Sequence, residues 1–174
     1  MENDQSDLEK ILSSRRGNAS DQPASDEEML DFLIFEIADE WYAFRGASIR
    51  EILPLMPVFF VPACPPWLEG VINVRGDIES VVNLSALLGT SRSGTARSGS
   101  ILIGNGAGIQ SGIRIDRVLD VVAQPKSAVR EAPAALSPAL TRITVGLLVY
   151  RDVPVMILDL DRIFEDCGRI LGSV

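Results

Sequence analysis

An internal repeat runs through most of this 174-residue chain and restricts the folds open to it more than any other feature. A shift of 69 residues carries Tyr42 to Ser111 and aligns 42–53 with 111–122, and a shift of 76 carries Gly70 to Gly146. The second shift also aligns Asn83-Leu84 with Asp159-Leu160. Each half therefore reads as a hairpin, a connection, a second hairpin and a short helical turn. The sequence predicts two copies of one small β unit.

About five short strands per copy cannot form a soluble open sheet with two exposed edges, so closure into a small barrel is favoured. We therefore predict a mainly β fold with short helices, in which two five-stranded barrels pack together. Helix should stay under about 20%, against roughly a third in an average domain. The expected boundaries are an acidic leader (1–29), a first barrel half (about 30–89), a flexible joint (89–99), a second barrel half (about 100–168) and a C-terminal tail (169–174).

The leader carries much of the acidity of the chain. Residues 1–28 hold eight acidic and three basic side chains, and the formal net charge of the whole chain is −8. Ser6 and Glu9 have the spacing of a helix capping box, and Leu8, Ile11 and Leu12 would share one helix face. Two interpretations stand side by side: a solvated, disordered segment, or a helix that docks on another protein.

Composition argues against several classes of function. A net charge of −8 with two lysines disfavours nucleic acid, because phosphate contacts need clustered basic residues. Histidine is absent and Cys64 lies far from Cys167, so the usual zinc ligands are missing and no cofactor is expected. The N-terminus lacks a signal-peptide pattern, and prolines interrupt the apolar stretch 55–68. We expect a cytoplasmic, soluble protein with no direct membrane insertion.

The stretch 54–66 contains five prolines, which indicates a rigid crossing over a barrel mouth rather than a strand. Met56, Phe59 and Phe60 are interleaved with these prolines, and Trp67 follows them. These four side chains are predicted to be buried. A polyproline ligand for another module is the weaker alternative.

A tight hairpin displays the main candidate for binding chemistry. Residues 71–75 and 78–84 read as two short apolar strands, and Gly76-Asp77 would supply the positive φ of the turn that holds Arg75 at the tip. Asp77 and Glu79 resemble an acid/base pair, but acids beside a turn are commonly solvated, and no histidine accompanies them. A fixed arginine beside apolar strands is typical of a protein–protein interface.

The segment 66–84, Pro-Trp-Leu-Glu-Gly-Val-Ile-Asn-Val-Arg-Gly-Asp-Ile-Glu-Ser-Val-Val-Asn-Leu, resembles the signature of the CheW family, the coupling proteins of bacterial chemotaxis. Residues 31–44 and 49–52 resemble the family's first hairpin and its Val-x-Glu-Ile turn, and 112–120 resembles its Gly-x-x-Val-Asp-x-Val-x-Asp strand. The similarity spans about 30–168. The chain departs from the family pattern at Val74, Ser80 and Asn83, and it carries acids at Asp77 and Glu79, where members are often apolar.

The resemblance implies a CheW-like fold of two SH3-like barrels with a groove between them. It also implies a non-enzymatic adaptor that binds the cytoplasmic tip of a chemoreceptor and the regulatory domain of the CheA histidine kinase. Such an adaptor would be recruited to membrane-bound receptor arrays, in which adaptor and kinase alternate in rings. A coupling protein of a non-flagellar pathway, with a divergent kinase and effector, is the alternative. The positions that match the family's coupling surface are Ile49, Glu51, Gly70, Arg75, Gly76, Ile78 and Gly112.

Each of these residues also has a purely structural interpretation. The glycines would permit positive φ or a close backbone approach. Ile49 and Ile78 would be core residues, and Arg75 would pair with Glu51 or Asp77 across the surface, an interaction worth little by itself. Among the seven, Glu51 carries the charge that folding explains least.

Overall fold

The computed structural model describes residues 27–90 and 98–171; most of the leader, the centre of the joint and the last three residues lie outside that range. The described residues form three α-helices: α1 (Leu84–Leu88), α2 (Pro138–Ile143) and α3 (Leu160–Leu171). They also form ten strands: β1 (Met29–Ile37), β2 (Glu40–Arg45), β3 (Ile49–Pro54), β4 (Leu68–Val74), β5 (Asp77–Asn83), β6 (Ser100–Gly106), β7 (Ile109–Ile115), β8 (Arg117–Pro125), β9 (Thr144–Tyr150) and β10 (Val153–Leu158).

These strands make two five-stranded sheets with the same plan. Sheet 1 has the order β8-β1-β2-β10-β9, and sheet 2 has the order β3-β6-β7-β5-β4. Pairing is antiparallel except between β2 and β10 and between β5 and β7, which are parallel. Replacing each strand by its copy in the other half converts one order into the other. The internal repeat read from the sequence is therefore present in the structure.

The assignment of one barrel to 30–89 and the other to 100–168 is wrong. Each sheet combines the first hairpin of one half with the last three strands of the other half. The chain leaves sheet 1 after β2, makes a short 3-10 turn at Gly46–Ser48, and enters sheet 2 as β3, which pairs with β6. The repeat predicts the strands and helices but not which sheet each strand joins, because the equivalent strands of the two halves offer similar pairing partners.

Each sheet is closed by the chain segment that follows its first edge strand. In sheet 2 the segment after β3 returns so that Phe59 and Val71 of β4 exchange backbone hydrogen bonds of 2.8 and 2.9 Å. In sheet 1 Arg130 and Leu147 of β9 do the same at 2.8 and 2.9 Å. These contacts give β4 and β9, which would otherwise be open edge strands, a backbone partner on their free side. The mainly β fold with two SH3-like barrels is confirmed, and we call them barrel 1 and barrel 2 after their sheets.

Four hairpins turn through two residues that both have positive φ, as a two-residue loop of type I′ requires. The predicted turn at Gly76-Asp77 lies one residue too late, because the turn residues are Arg75 (φ 54°) and Gly76 (φ 100°), and Asp77 already belongs to β5. The side chain of Asn73 fixes the loop by accepting a 2.8 Å hydrogen bond from the Gly76 amide. The other three turns are Ala38-Asp39, Ala107-Gly108 and Arg151-Asp152.

The core has one part inside each barrel and a larger part between the sheets. Both faces of β1 are buried: Phe32 and Ile34 point into barrel 1, and Leu33 and Phe35 pack in the layer that sheet 2 and α3 also line. This explains the continuous apolar run in that strand. The set inside barrel 2 comprises Leu53, Ile72, Val81, Ile101 and Ile103.

Two details differ from the sequence prediction. Phe59 and Phe60 were expected to be buried but are exposed, Phe60 to 76%. Phe59 closes the barrel through its backbone, so its ring is left outside the core. Trp67 is buried as predicted. Residues 169–171, expected to be tail, belong to α3, which buries Ile163 and Cys167 in the inter-sheet layer. Within the described part of the chain, no helix is long and apolar enough to cross a membrane.

Candidate functional site

An exposed ion pair joins the tip of the β4–β5 hairpin to β3. The guanidinium of Arg75 donates two hydrogen bonds to the carboxylate of Glu51, one of them 2.9 Å long from Nη1 to Oε2. The Arg75 side chain is 74% exposed and that of Glu51 27%. Hydrogen bonding to Arg75 lowers the pKa of Glu51, and the same contact raises the pKa of Arg75. Both groups therefore stay charged at neutral pH, and the arginine is held in one place while its other donors face solvent.

The pair spans the mouth of barrel 2, where a polar network surrounds a depression of about 170 Å³. Arg50 donates a 2.7 Å hydrogen bond to the side-chain oxygen Oε1 of Gln110, and the side-chain Nε2 of Gln110 donates to the carboxylate of Glu79. Glu79 is thus bonded to a neutral amide across the mouth, as suits a structural acid. The sequence drew attention to Glu79 but not to Gln110, its partner on β7.

A second depression of about 310 Å³ lies between the two sheets. Leu33 and Val121 line it from sheet 1, and Ile49, Glu51 and Ile52 line it from sheet 2. Val121 is 59% exposed and Ile52 45%, so the walls present apolar side chains to solvent. Glu51 borders both this inter-barrel groove and the mouth of barrel 2. The two depressions therefore form one continuous surface through Glu51.

The structure brings only part of the predicted coupling surface together. Ile49, Glu51 and Arg75 lie on the continuous surface, and Gly76 completes the turn that carries Arg75. Ile49 also packs partly against the inter-sheet core. Ile78 is 66% exposed, so its interpretation as a core residue is wrong. Its side chain lies next to Asn73 on the opposite face of the hairpin from the mouth residues Val74, Asp77 and Glu79.

Gly70 and Gly112 are buried and serve close packing of the backbone. A Cβ on Gly70 would lie 2.2 Å from the carbonyl oxygen of Phe59, in the contact that closes barrel 2. A Cβ on Gly112 would lie 2.9 Å from the side chain of Ile101 and 3.2 Å from the Ser80 carbonyl oxygen. The backbone contact at Gly70 leaves no room for a larger residue, whereas a larger residue at Gly112 would require the Ile101 side chain and its neighbours to shift.

Local structure accounts for two departures from the family signature. Asn83 is the N-cap of α1 and accepts a 3.2 Å hydrogen bond from the Ala86 amide, and Asp159 caps α3 in the same way at 3.0 Å. Asn and Asp are about equally good in this role. Ser80 makes a 2.8 Å hydrogen bond with the hydroxyl of Ser111 on β7. Ser80 therefore fits the second strand of the hairpin, and Asn83 keeps the cap of the helix that follows it.

Barrel 1 carries a counterpart of the Glu51–Arg75 pair that sequence reasoning missed. Asp120 and Arg151 are the residues that the repeat aligns with Glu51 and Arg75, and their charged groups approach to 3.7 Å. Here the main partner of Asp120 is the hydroxyl of Tyr150, which donates a 2.5 Å hydrogen bond and lowers the pKa of the carboxyl. The guanidinium of Arg151 lies 4.9 Å from the centre of the Tyr150 ring. The repeat alignment, which also aligns Ile52 with Val121, was the signal available for these residues.

Comparison with known proteins agrees with this architecture. The family model described as CheW-like domain matches residues 31–167. The chain is 25% identical over 146 residues to the chemotaxis protein CheW of Treponema pallidum, covering 82% of this chain and 86% of that protein. It is 30% identical over 141 residues to the chemotaxis protein CheW of Thermotoga maritima, covering 78% and 88%. The crystal structure of scaffolding protein TtCheW from Thermoanaerobacter tengcongensis superposes with a TM-score of 0.70 at 22% identity, covering 79% of this chain and 88% of that one.

Proposed function

The chain belongs to the CheW-like domain family, and we propose that it is a non-enzymatic adaptor that couples chemoreceptors to a CheA-type histidine kinase in chemotaxis signalling. The similarity to chemotaxis proteins over most of their length supports this proposal. In this proposal the inter-barrel groove binds the receptor tip and a barrel edge binds the kinase regulatory domain.

The observation that carries the proposal is the position of Glu51 between the two depressions. On one side it borders the apolar groove with Ile49 and Ile52, and on the other it fixes the exposed Arg75 at the mouth of barrel 2. An apolar groove of this kind accepts the apolar face of a helix, as in the coiled coil of a receptor tip. A held arginine beside it can donate to a carboxylate or carbonyl of a partner.

The described surface supports binding rather than chemistry. Its carboxylate at Glu51 has a lowered pKa because it is bound by Arg75, so it is a poor general base at neutral pH. An adaptor with two weak interfaces acts by position: it raises the effective concentration of kinase at the receptor. Repetition of both contacts would build an array at the membrane, and no cofactor is needed for this.

A pull-down from the native cell tests the proposal. The tagged chain should recover a receptor-like coiled-coil protein together with a histidine kinase, and the variant Arg75→Ala should recover less of at least one of them. Recovery of a kinase with an effector of surface motility or gene regulation would favour the non-flagellar alternative. Recovery of neither a receptor nor a kinase would refute the adaptor role.

A further inference from the structure

A second groove opens in barrel 1, at the seam between the parallel strands β2 and β10. Their register places Met156 beside Tyr42, so the turns Ala38-Asp39 and Arg151-Asp152 lie side by side at one end of the sheet. The groove has a volume of about 470 Å³, larger than either depression described above. It is lined by Asp39, Glu40, Trp41, Val153, Pro154 and Met156.

The floor of this groove is apolar and firmly held. The centres of the Trp41 and Tyr150 rings are 5.9 Å apart. The indole N–H of Trp41 donates a 3.1 Å hydrogen bond to the carboxylate of Glu36, which is itself paired with Arg117. Trp41 remains half-buried and lines the groove from the barrel-interior face of β2, whereas Met156 lines it from the opposite face of the sheet. Tryptophan is among the residues that contribute most to binding at protein interfaces. The flexible thioether of Met156 lets such a surface adapt to its ligand.

The rim of the groove is acidic. Asp39 and Glu40 line it, Asp152 lies in the adjacent turn next to Val153, and all three side chains are exposed. The neighbouring Arg151 is directed toward the Tyr150 ring and Asp120. Carboxylates around an apolar floor favour a ligand that carries cations beside an apolar side chain.

The equivalent end of barrel 2 lacks this combination. The repeat aligns Asp39, Glu40 and Asp152 with Gly108, Ile109 and Gly76, and it aligns Trp41 with Gln110. These three acids and the indole are therefore particular to barrel 1, whereas the acids at the mouth of barrel 2, Asp77 and Glu79, occupy other positions of the repeat. They are not required by the fold, because barrel 2 has the same strand order without them.

We propose that the β2/β10 groove binds a basic segment of a partner protein, in which an aliphatic or aromatic side chain is flanked by lysine or arginine. The apolar side chain rests over the end of the β2/β10 seam, where Trp41 and Pro154 line the groove from either face of the sheet, and the flanking cations pair with Asp39 and Asp152. The chain's own leader is an unfavourable occupant, because residues 1–28 hold eight acidic and three basic side chains. The proposal concerns barrel 1 and does not depend on which partner contacts Arg75.

Selection from a short random peptide library displayed on phage, with the full chain as bait, tests this inference. The expected consensus is an aromatic or aliphatic residue next to lysine or arginine. A synthetic peptide of that consensus, labelled for fluorescence anisotropy, should bind more weakly as salt rises. Pro154→Lys places a cation at an exposed groove position and should weaken binding about tenfold or more, as expected at a central contact. Asp39→Asn should weaken binding less and should reduce its salt dependence.

Ile109→Lys is the matched control, because it adds the same charge at the corresponding end of barrel 2, at the start of β7, where Ile109 is also exposed. It should leave peptide affinity unchanged, and the melting temperatures of all three variants should stay close to that of the parent. Selection of acidic or purely apolar peptides would overturn the proposal, as would the absence of any consensus. Equal weakening by Pro154→Lys and Ile109→Lys would also overturn it, since the peptide would then respond to charge anywhere on the chain.

Discussion

Replacing Arg75 by alanine should separate binding from stability. The Arg75–Glu51 pair lies largely in solvent, and exposed pairs contribute about 0 to 1 kcal/mol to the free energy of unfolding. For a chain of this size, that corresponds to a shift in melting temperature of at most about 4 °C. Loss of an arginine held at an interface costs about 2 kcal/mol or more, which is roughly a thirtyfold loss of affinity.

The assay measures thermal unfolding of each variant alone and, in parallel, its affinity for a receptor signalling fragment and for the kinase regulatory domain. Arg117→Ala is the control, because Arg117 makes a two-point ion pair with Glu36 on barrel 1, with hydrogen bonds of 3.0 and 2.9 Å. It should alter stability by a similar amount and leave both affinities unchanged.

Glu51→Ala extends the same test. If Glu51 serves mainly to hold Arg75, the double variant should lose little more affinity than Arg75→Ala alone, because the two residues act as one unit. Normal binding by both single variants would show that the site is assigned wrongly even though the family is correct. If the variants bind weakly only because they are unfolded, Arg75 and Glu51 are a structural pair rather than a binding site.

Three further predictions follow from the local structure. Asn83→Ala should destabilise the chain by about 1 kcal/mol through loss of the α1 cap, whereas Asn83→Asp should be nearly neutral in urea denaturation; equal effects would remove the cap as the cause. Gly70→Ala should lower the unfolding midpoint strongly, whereas the control Gly168→Ala should change it little, because the added methyl on α3 meets open space. A small effect of Gly70→Ala would contradict the close contact with Phe59. Burial raises the pKa of the Cys167 thiol to about 12, so at pH 8 iodoacetamide should modify Cys64 first, and early modification of Cys167 would refute its burial.

The sequence predicted the β architecture because its signals are local or repeated. Turn residues, short apolar runs and the two shifts of the repeat specify hairpins whatever their partners are. The pairing of β2 with β10 and of β3 with β6 could not be read in the same way. Those pairs connect different halves, and the equivalent strand of the other copy offers a similar apolar pattern.

The candidate site was predictable in its residues more than in its geometry. Arg75 at a hairpin tip and Glu51 in a strand are visible in the sequence, but their contact depends on barrel closure, which brings the two edges of sheet 2 together. The alternative that Ile78 is a core residue was wrong; it rested on the fact that an isoleucine in a strand is more often buried. Val121 was missed because its role in the groove depends on how the sheets pack.

Recruitment of kinase to receptor tests the central claim most directly. Membrane vesicles that carry the receptor recovered with the chain are mixed with its kinase and a range of chain concentrations, and the kinase in the pellet is measured. A bridging adaptor predicts that pelleted kinase rises as the chain is added and falls again when the chain exceeds both partners, because excess adaptor occupies each partner separately. Kinase that pellets to the same extent at every chain concentration would contradict the account.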